Sequence, residues 1–251
     1  RNLAQVLRST HRVIVPDHIG MGLSDKPSDD AYGYHLEQRV DDLDALLTHL
    51  KLDSKITLVV HDWGGMIGMA YATRYPERIA RIVILNTGAF HLPQTKALPW
   101  QLKLARDSSI GGFLVRGFNA FSRGATIVGC TRNPMPKNIV KAYTAPYNTW
   151  SNRIATLRFV QDIPLVPEDK GYDLVTNVEK QLSQFAKLPV LICWGDKDFV
   201  FDHHFLKQWQ GHLPDAEVHR FPDCGHYILE DATDEVITLI QDFLERHPIA
   251  D

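Results

Sequence analysis

Only three cysteines occur in the 251 residues, Cys130, Cys193 and Cys224, and no two form a C-x-x-C pair. An odd number so widely spaced builds no disulfide framework, which points to a reducing, cytoplasmic setting. Long apolar runs are missing too. Nothing approaches the roughly 18 residues a membrane span requires, and the opening RNLAQVLRSTHR is too polar for a secretory signal. Charge of neither sign dominates, with 27 Lys and Arg against 30 Asp and Glu, which argues against an electrostatic nucleic-acid binder. No H-E-x-x-H or cysteine cluster offers a metal site, and the adjacent His203 and His204 are expected to face different ways on a helix. GMGLSD at 20–25 lacks the third glycine of a dinucleotide loop, and no internal repeat or low-complexity tract is present.

What remains is an ordinary globular composition, 44% hydrophobic, in a chain long enough to bury a core without staples. Residues 1–10 read as the end of a helix, and VIVPD at 13–17 as a short buried strand. Residues 35–50 repeat apolar side chains at helical spacing, with Asp41, Asp42 and Asp44 read as a solvated face. ITLVV at 56–60 and RIVILN at 81–86 are strand-like and flank a helix at 66–75. Such alternation with short connections predicts a parallel sheet covered on both faces. Residues 89–165 break the pattern with scattered prolines, aromatics and arginines, and are expected to form an inserted helical cap. The alternation then resumes with a helix near 173–186, VLICW at 190–194, a helix near 203–211, EVHRF at 217–221 and a helix at 232–245. The expected domains are therefore an α/β core of 1–88 and 166–251, and a cap of 89–165.

The segment ITLVVHDWGGMIG at 56–68 carries a buried strand into His61, Asp62, Trp63 and two glycines before a helix begins. It has the form of a nucleophile elbow, in which a reactive side chain stands on a sharp strand-to-helix turn and the following N–H groups face a developing anion. Gly64 and Gly65 are expected to let helix and strand approach closely. Where a serine usually stands, Asp62 offers a carboxylate that needs no base to activate it. An aspartate there could otherwise serve as a plain helix N-cap.

This stretch resembles the Asp-nucleophile branch of the α/β-hydrolase superfamily, which contains haloalkane dehalogenases and epoxide hydrolases. PDHIGMGLSDKP at 16–27, YPERIARIVILNT at 75–87, GDKD at 195–198 and DCGHYILED at 223–231 extend the resemblance over nearly the whole chain. GFNAFSRGA at 117–125, APYNTWSNR at 145–153 and FVQDIPLVPED at 159–169 look most like the olefin-biosynthesis β-lactone decarboxylases. The resemblance implies an α/β-hydrolase fold with Asp62 as nucleophile, His226 as general base and Asp198 as its orienting acid, with Asp196 competing for that last role. It makes Trp63 an N–H donor to the leaving group and sets Phe118, Phe121, Tyr147 and Trp150 on the underside of the cap.

No metal and no organic cofactor are implied. The implied reactions are decarboxylation of a dialkyl β-lactone first, haloalkane dehalogenation second and epoxide hydrolysis third, the last needing cap tyrosines for which Tyr143, Tyr147 and Tyr172 are the candidates. An inactive interaction module is the alternative of a different kind, and the implied partners are thiolase-like and β-lactone synthetase enzymes of olefin synthesis. Relatives carry an HG-x-P-type loop, and strands before it, ahead of the helix that opens this sequence. The expectation is thus an N-terminally truncated sheet with half its anion site missing.

Overall fold

The computed structural model describes residues 1–249. Four parallel strands form one sheet in the order β1 (Ile56–Asp62), β2 (Ile79–Thr87), β3 (Val190–Gly195) and β4 (Glu217–Phe221). The central strands β2 and β3 are apolar almost throughout, as a sheet covered on both faces demands. Alternation along them splits the core in two. Ile82, Ile84, Ile192 and Trp194 face α2 (Leu36–His49), α3 (Trp63–Arg74), and later helices α9 (Tyr172–Gln181) and α10 (His203–His212). Val83, Leu85, Leu191 and Cys193 face α1 (Asn2–Leu7) and the C-terminal α12 (Thr233–Arg246), where Val236, Ile240 and Phe243 are buried. Each such side chain is worth about 1.5–3 kcal/mol of transfer free energy.

Between β2 and β3 the described chain forms no strand: α4 (Trp100–Asp107), α5 (Ser109–Phe118), α6 (Ala120–Val128), α7 (Lys137–Thr144) and α8 (Ile154–Gln161), with loops and short 3₁₀ turns, precede α9. This segment has a small core of its own, formed by Ala105, Val115, Leu157 and Val160. Asp231, at the end of the short α11 (Ile228–Asp231), ties it to the main body by accepting the N–H groups of Thr131 and Gly225 at 2.8 and 2.7 Å.

Several local expectations fail. Residues 13–17 form no strand, and Val15 is 72% exposed. A β-branched run becomes a strand only beside another that satisfies its backbone groups, and none lies there among the described residues. β1 is an edge strand with Val59 exposed, not a fully buried one. The acidic run on α2 is engaged: Asp41 pairs with Arg74, Asp42 accepts the Tyr32 hydroxyl, and Asp44 accepts that of Tyr75 at 2.9 Å. His203 and His204 do not diverge, their rings lying 3.9 Å apart in the first turn of α10, where Asp202 draws His204 back by a 3.0 Å bond. The donors of Asp202, His203 and His204 converge, but Asp202 is already held by the Lys96 ammonium at 2.7 Å and caps the helix.

Candidate active site

Parallel strands bring their carboxyl ends to one edge of the sheet, and the loops there form the crevice where ligands bind in such folds. Asp62 ends β1 and immediately precedes α3, with φ 49° and ψ −127°, a conformation costly for a residue with a Cβ. Its side chain makes no capping bond to the helix, so the plain N-cap role does not account for it. The Thr87 hydroxyl of β2 holds the Asp62 carbonyl. The turn closes because Gly65 crosses Thr87: a Cβ at Gly65 would lie 1.9 Å from Thr87 Oγ1, whereas one at Gly64 meets nothing within 4 Å. Of the two glycines only Gly65 is required by packing, a correction to the expectation for the pair.

His226 follows β4, and Asp198 follows β3. The His226 Nδ1–H donates to Asp198 Oδ2 at 2.8 Å, and Asp198 Oδ1 accepts the Val200 N–H at 2.8 Å, which fixes a carboxylate that has no exposed side-chain surface. The other ring nitrogen, Nε2, lies 3.9 Å from Asp62 Oδ1, a separation too long for a hydrogen bond. Burial alone would lower the His226 pKa, but the Asp198 and Asp62 charges and the Asp198 hydrogen bond outweigh it and push the pKa up to about 9. Asp196, the competing orienter, instead pairs with Arg220 at 2.9 Å.

Three contacts here have no signature in the sequence. His61 donates its Nε2–H to the His226 carbonyl at 2.8 Å, its ring 4.6 Å from that of His226; burial, with the neighbouring imidazole second, lowers its pKa to about 4 and keeps it neutral. Phe201 stacks on His226 at 5.9 Å. Arg39 of α2 is buried with its guanidinium 4.7 Å from the Trp63 ring centroid and 3.7 Å from that of Phe159, and pairs with Asp162 at 3.2 Å. Burial lowers the Arg39 pKa to about 10. Trp63 is thus wedged against Phe159 and Arg39, and its indole N–H donates to no acceptor among the described residues. The only hint was the helical register, which sets Arg39 beside Leu36 and Val40 of the buried face.

The aromatics expected to line the cap's underside are not gathered. Tyr147 is partly buried, with its hydroxyl accepting the Gly22 N–H at 3.2 Å, whereas Phe118 and Trp150 are largely exposed and Phe121 borders on exposure. Trp150 and Phe113 line an open cleft of about 440 Å³ with Arg116 and Leu157, and neither Asp62 nor His226 borders it. For an epoxide the tyrosines are poorly placed: Tyr143 donates to Glu230 at 3.1 Å, and Tyr172 stacks on His91 at 4.0 Å. No helix among the described residues is long and apolar enough to cross a membrane.

A carboxylate on a strained elbow, facing a histidine oriented by a buried acid on a parallel sheet, defines the class of protein. The chain belongs to the alpha/beta hydrolase fold family, whose model matches residues 1–233. It is 64% identical, over 97% of this chain and 77% of that protein, to the cis-3-alkyl-4-alkyloxetan-2-one decarboxylase of Shewanella oneidensis. It is 49% identical to the protein of the same name from Xanthomonas campestris pv. campestris, over 99% of this chain and 84% of that one. Among solved structures, a haloalkane dehalogenase from Bradyrhizobium elkani shares the fold, with a TM-score of 0.82 and 23% identity over 98% of this chain and 86% of that chain.

Proposed function

We propose that the protein opens cis-3-alkyl-4-alkyl-oxetan-2-ones, four-membered β-lactones bearing two alkyl chains, and releases a cis-alkene and carbon dioxide through a covalent intermediate on Asp62. One observation carries the reading: a carboxylate without a capping role lies 3.9 Å from an oriented histidine, in a chain 64% identical to a protein named for that decarboxylation.

The chemistry balances without water or an oxidant. Asp62 attacks C4 from the side opposite the ring oxygen; the C4–O bond breaks with inversion, and its electron pair leaves on the carboxylate now attached to C3. Inversion leaves the new ester oxygen anti to that carboxylate. The bond from C3 to the carboxyl carbon then breaks, its electrons become the C3–C4 π bond, and the ester C–O pair returns to Asp62. Because the two departing groups are anti, the alkyl chains of a cis-lactone finish on the same side. Protonated His226 stabilises the oxygen leaving C4, Asp198 positions and charges His226, and the Trp63 N–H is a second donor. In this reading residues 89–165 are a cap whose partly buried Tyr147 roofs the alkyl chains, the enzyme is cytoplasmic and needs no cofactor, and it works beside thiolase-like and β-lactone synthetase enzymes of olefin synthesis.

The test is incubation with a synthetic cis-dialkyl β-lactone and, separately, with 1-bromoalkanes, quantifying alkene and bromide. Alkene without bromide is expected. Bromide without alkene would refute the proposal and return the protein to hydrolytic dehalogenation, for which the unpaired Trp63 N–H would serve as a halide donor.

A further inference from the structure

The helical segment between β2 and β3 carries a charge and a surface that the proposed chemistry does not use. Residues 108–161 contain seven Lys and Arg and no Asp or Glu, in a chain whose net charge is −3. Within them α5 turns Val115 into the small core below, which leaves its opposite face bare: Ile110 is 67% exposed, Phe113 55% and Phe118 58%, with Leu114 between them. These positions recur at three- and four-residue steps and so form one stripe of the helix. Phe113 extends the stripe sideways to Trp150, 6.1 Å away and 48% exposed, and the Arg116 guanidinium lies 4.7 Å from the Trp150 ring centroid. Neither Arg116 nor Arg123, on the next helix, has a carboxylate within 4 Å among the described residues.

We infer that this face, formed by Ile110, Phe113, Leu114, Phe118 and Trp150 with Arg116, docks the protein on an anionic lipid bilayer. An exposed helix with bulky apolar side chains, a neighbouring tryptophan and an arginine without a carboxylate partner has the composition of an interfacial helix, which buries its apolar stripe at the headgroup boundary while its cation meets lipid phosphates. No acid falls within these 54 residues, and the two carboxylates nearest the face, Asp107 and Asp29, are each paired, with Arg106 and Arg158 at 2.6 Å, which limits the repulsion an anionic surface would meet. The choice of lipid over protein rests in part on the proposed substrate, since a lactone with two alkyl chains dissolves in the membrane and has to be collected there.

The test uses the protein as it stands, floated with vesicles of phosphatidylcholine alone or mixed with phosphatidylglycerol, and needs no turnover. Strong flotation with the anionic vesicles is expected, weakened by salt and by leaving out phosphatidylglycerol. Arg116→Gln should weaken it about fivefold, the affinity one surface cation contributes. Phe113→Ser with Phe118→Ser should abolish it, while Val15→Ser, an exposed apolar residue elsewhere, should leave it unchanged. Unchanged melting temperatures would show that the variants are folded.

Absence of flotation, or equal flotation of all variants, overturns the inference. So does a dimer in sedimentation velocity that the Phe113→Ser, Phe118→Ser variant dissolves, which would assign the face to a second copy of the chain. Vesicle binding without alkene formation would sink the lactone reading and leave the docking face standing, and the converse would do the opposite.

Discussion

His61 lets the electrostatics of the site be tested without substrate. Its ring is neutral because burial and the adjacent His226 lower its pKa from 6.5 to about 4, while its Nε2–H is committed to the His226 carbonyl. The folded-state pKa lies below the unfolded one, so the unfolded chain binds the proton more tightly. Stability from this group is complete above pH 6.5 and is lost as pH falls towards 4. At about 1.4 kcal/mol per pKa unit the whole window is worth about 3 kcal/mol, of which about 2 is gone by pH 5. Part of the ring remains accessible, so these figures are ceilings. The perturbation is His61→Gln, whose amide can still donate to the carbonyl but does not titrate. Urea unfolding of both proteins at pH 8 and pH 5 isolates the effect, since any fixed cost of the substitution is the same at both pH values. His226 works in the other sense, its raised pKa giving stability that is full below pH 6.5 and lost as pH rises through about 9, and this contribution is shared and cancels. The wild-type protein should lose about 2 kcal/mol more than the variant between pH 8 and pH 5. Parallel losses, or a His61 imidazole that titrates near 6.5 by NMR, would refute the reasoning.

Asp62→Ala should lower alkene formation at least ~10⁴-fold with an unchanged melting temperature, because a carboxylate with no capping bond is lost. Asp198→Asn should cut kcat/KM by ~10²–10⁴-fold, and should bring the His226 pKa down from about 9, measured by its NMR titration. With the native Asp198, kcat/KM on the lactone should fall as pH rises through about 9; a rise over that range would contradict a cationic His226. Gly65→Ala should destabilise by at least about 2 kcal/mol in urea, since its Cβ would collide with Thr87, whereas Gly64→Ala should be tolerated. Arg39→Met should lower stability by about 1–3 kcal/mol by leaving the buried Asp162 with His35 as its remaining side-chain partner.

The central strands β2 and β3 were legible because buried apolar runs between turn residues have few other homes, and the edge strands β1 and β4 because short β-branched or alternating runs lie between helical stretches. Residues 13–17 look the same in sequence, yet a run of valine and isoleucine cannot report whether a neighbouring strand is there to receive it. Asp62, Asp198 and His226 were legible as motif positions at the ends of strands, and the family resemblance agrees with the relatives found. Their supporting contacts were not. His61 meets the carbonyl of a residue 165 positions away, and Arg39 reads as an ordinary polar residue of an amphipathic helix until Trp63 and Phe159 close over it. Phe118 and Trp150 erred in the other direction: an aromatic in a helical insertion carries no mark of the face it will occupy, and these two turned outward.

The lactone and halide routes share their first bond-making step and diverge in what the ester on Asp62 needs next, which makes His226→Gln the discriminating variant. A halide route leaves a stable alkyl ester that only activated water can remove, so without the imidazole the ester accumulates and intact mass shows an alkyl adduct. The lactone route leaves an ester that carries its own leaving group. Loss of carbon dioxide expels Asp62 with no proton and no water, so the adduct decays as fast as the carbon–carbon bond breaks, whatever stands at position 226. Glutamine there removes the cation proposed to stabilise the leaving oxygen, whose Nε2 lies 3.9 Å from Asp62, so ring opening slows while the following step does not. With the lactone, slow alkene formation and no accumulated adduct is therefore the expected pair of results. A persistent adduct of the full lactone mass would show that the second step needs the histidine, and attack at C4 followed by unassisted decarboxylation would then be wrong.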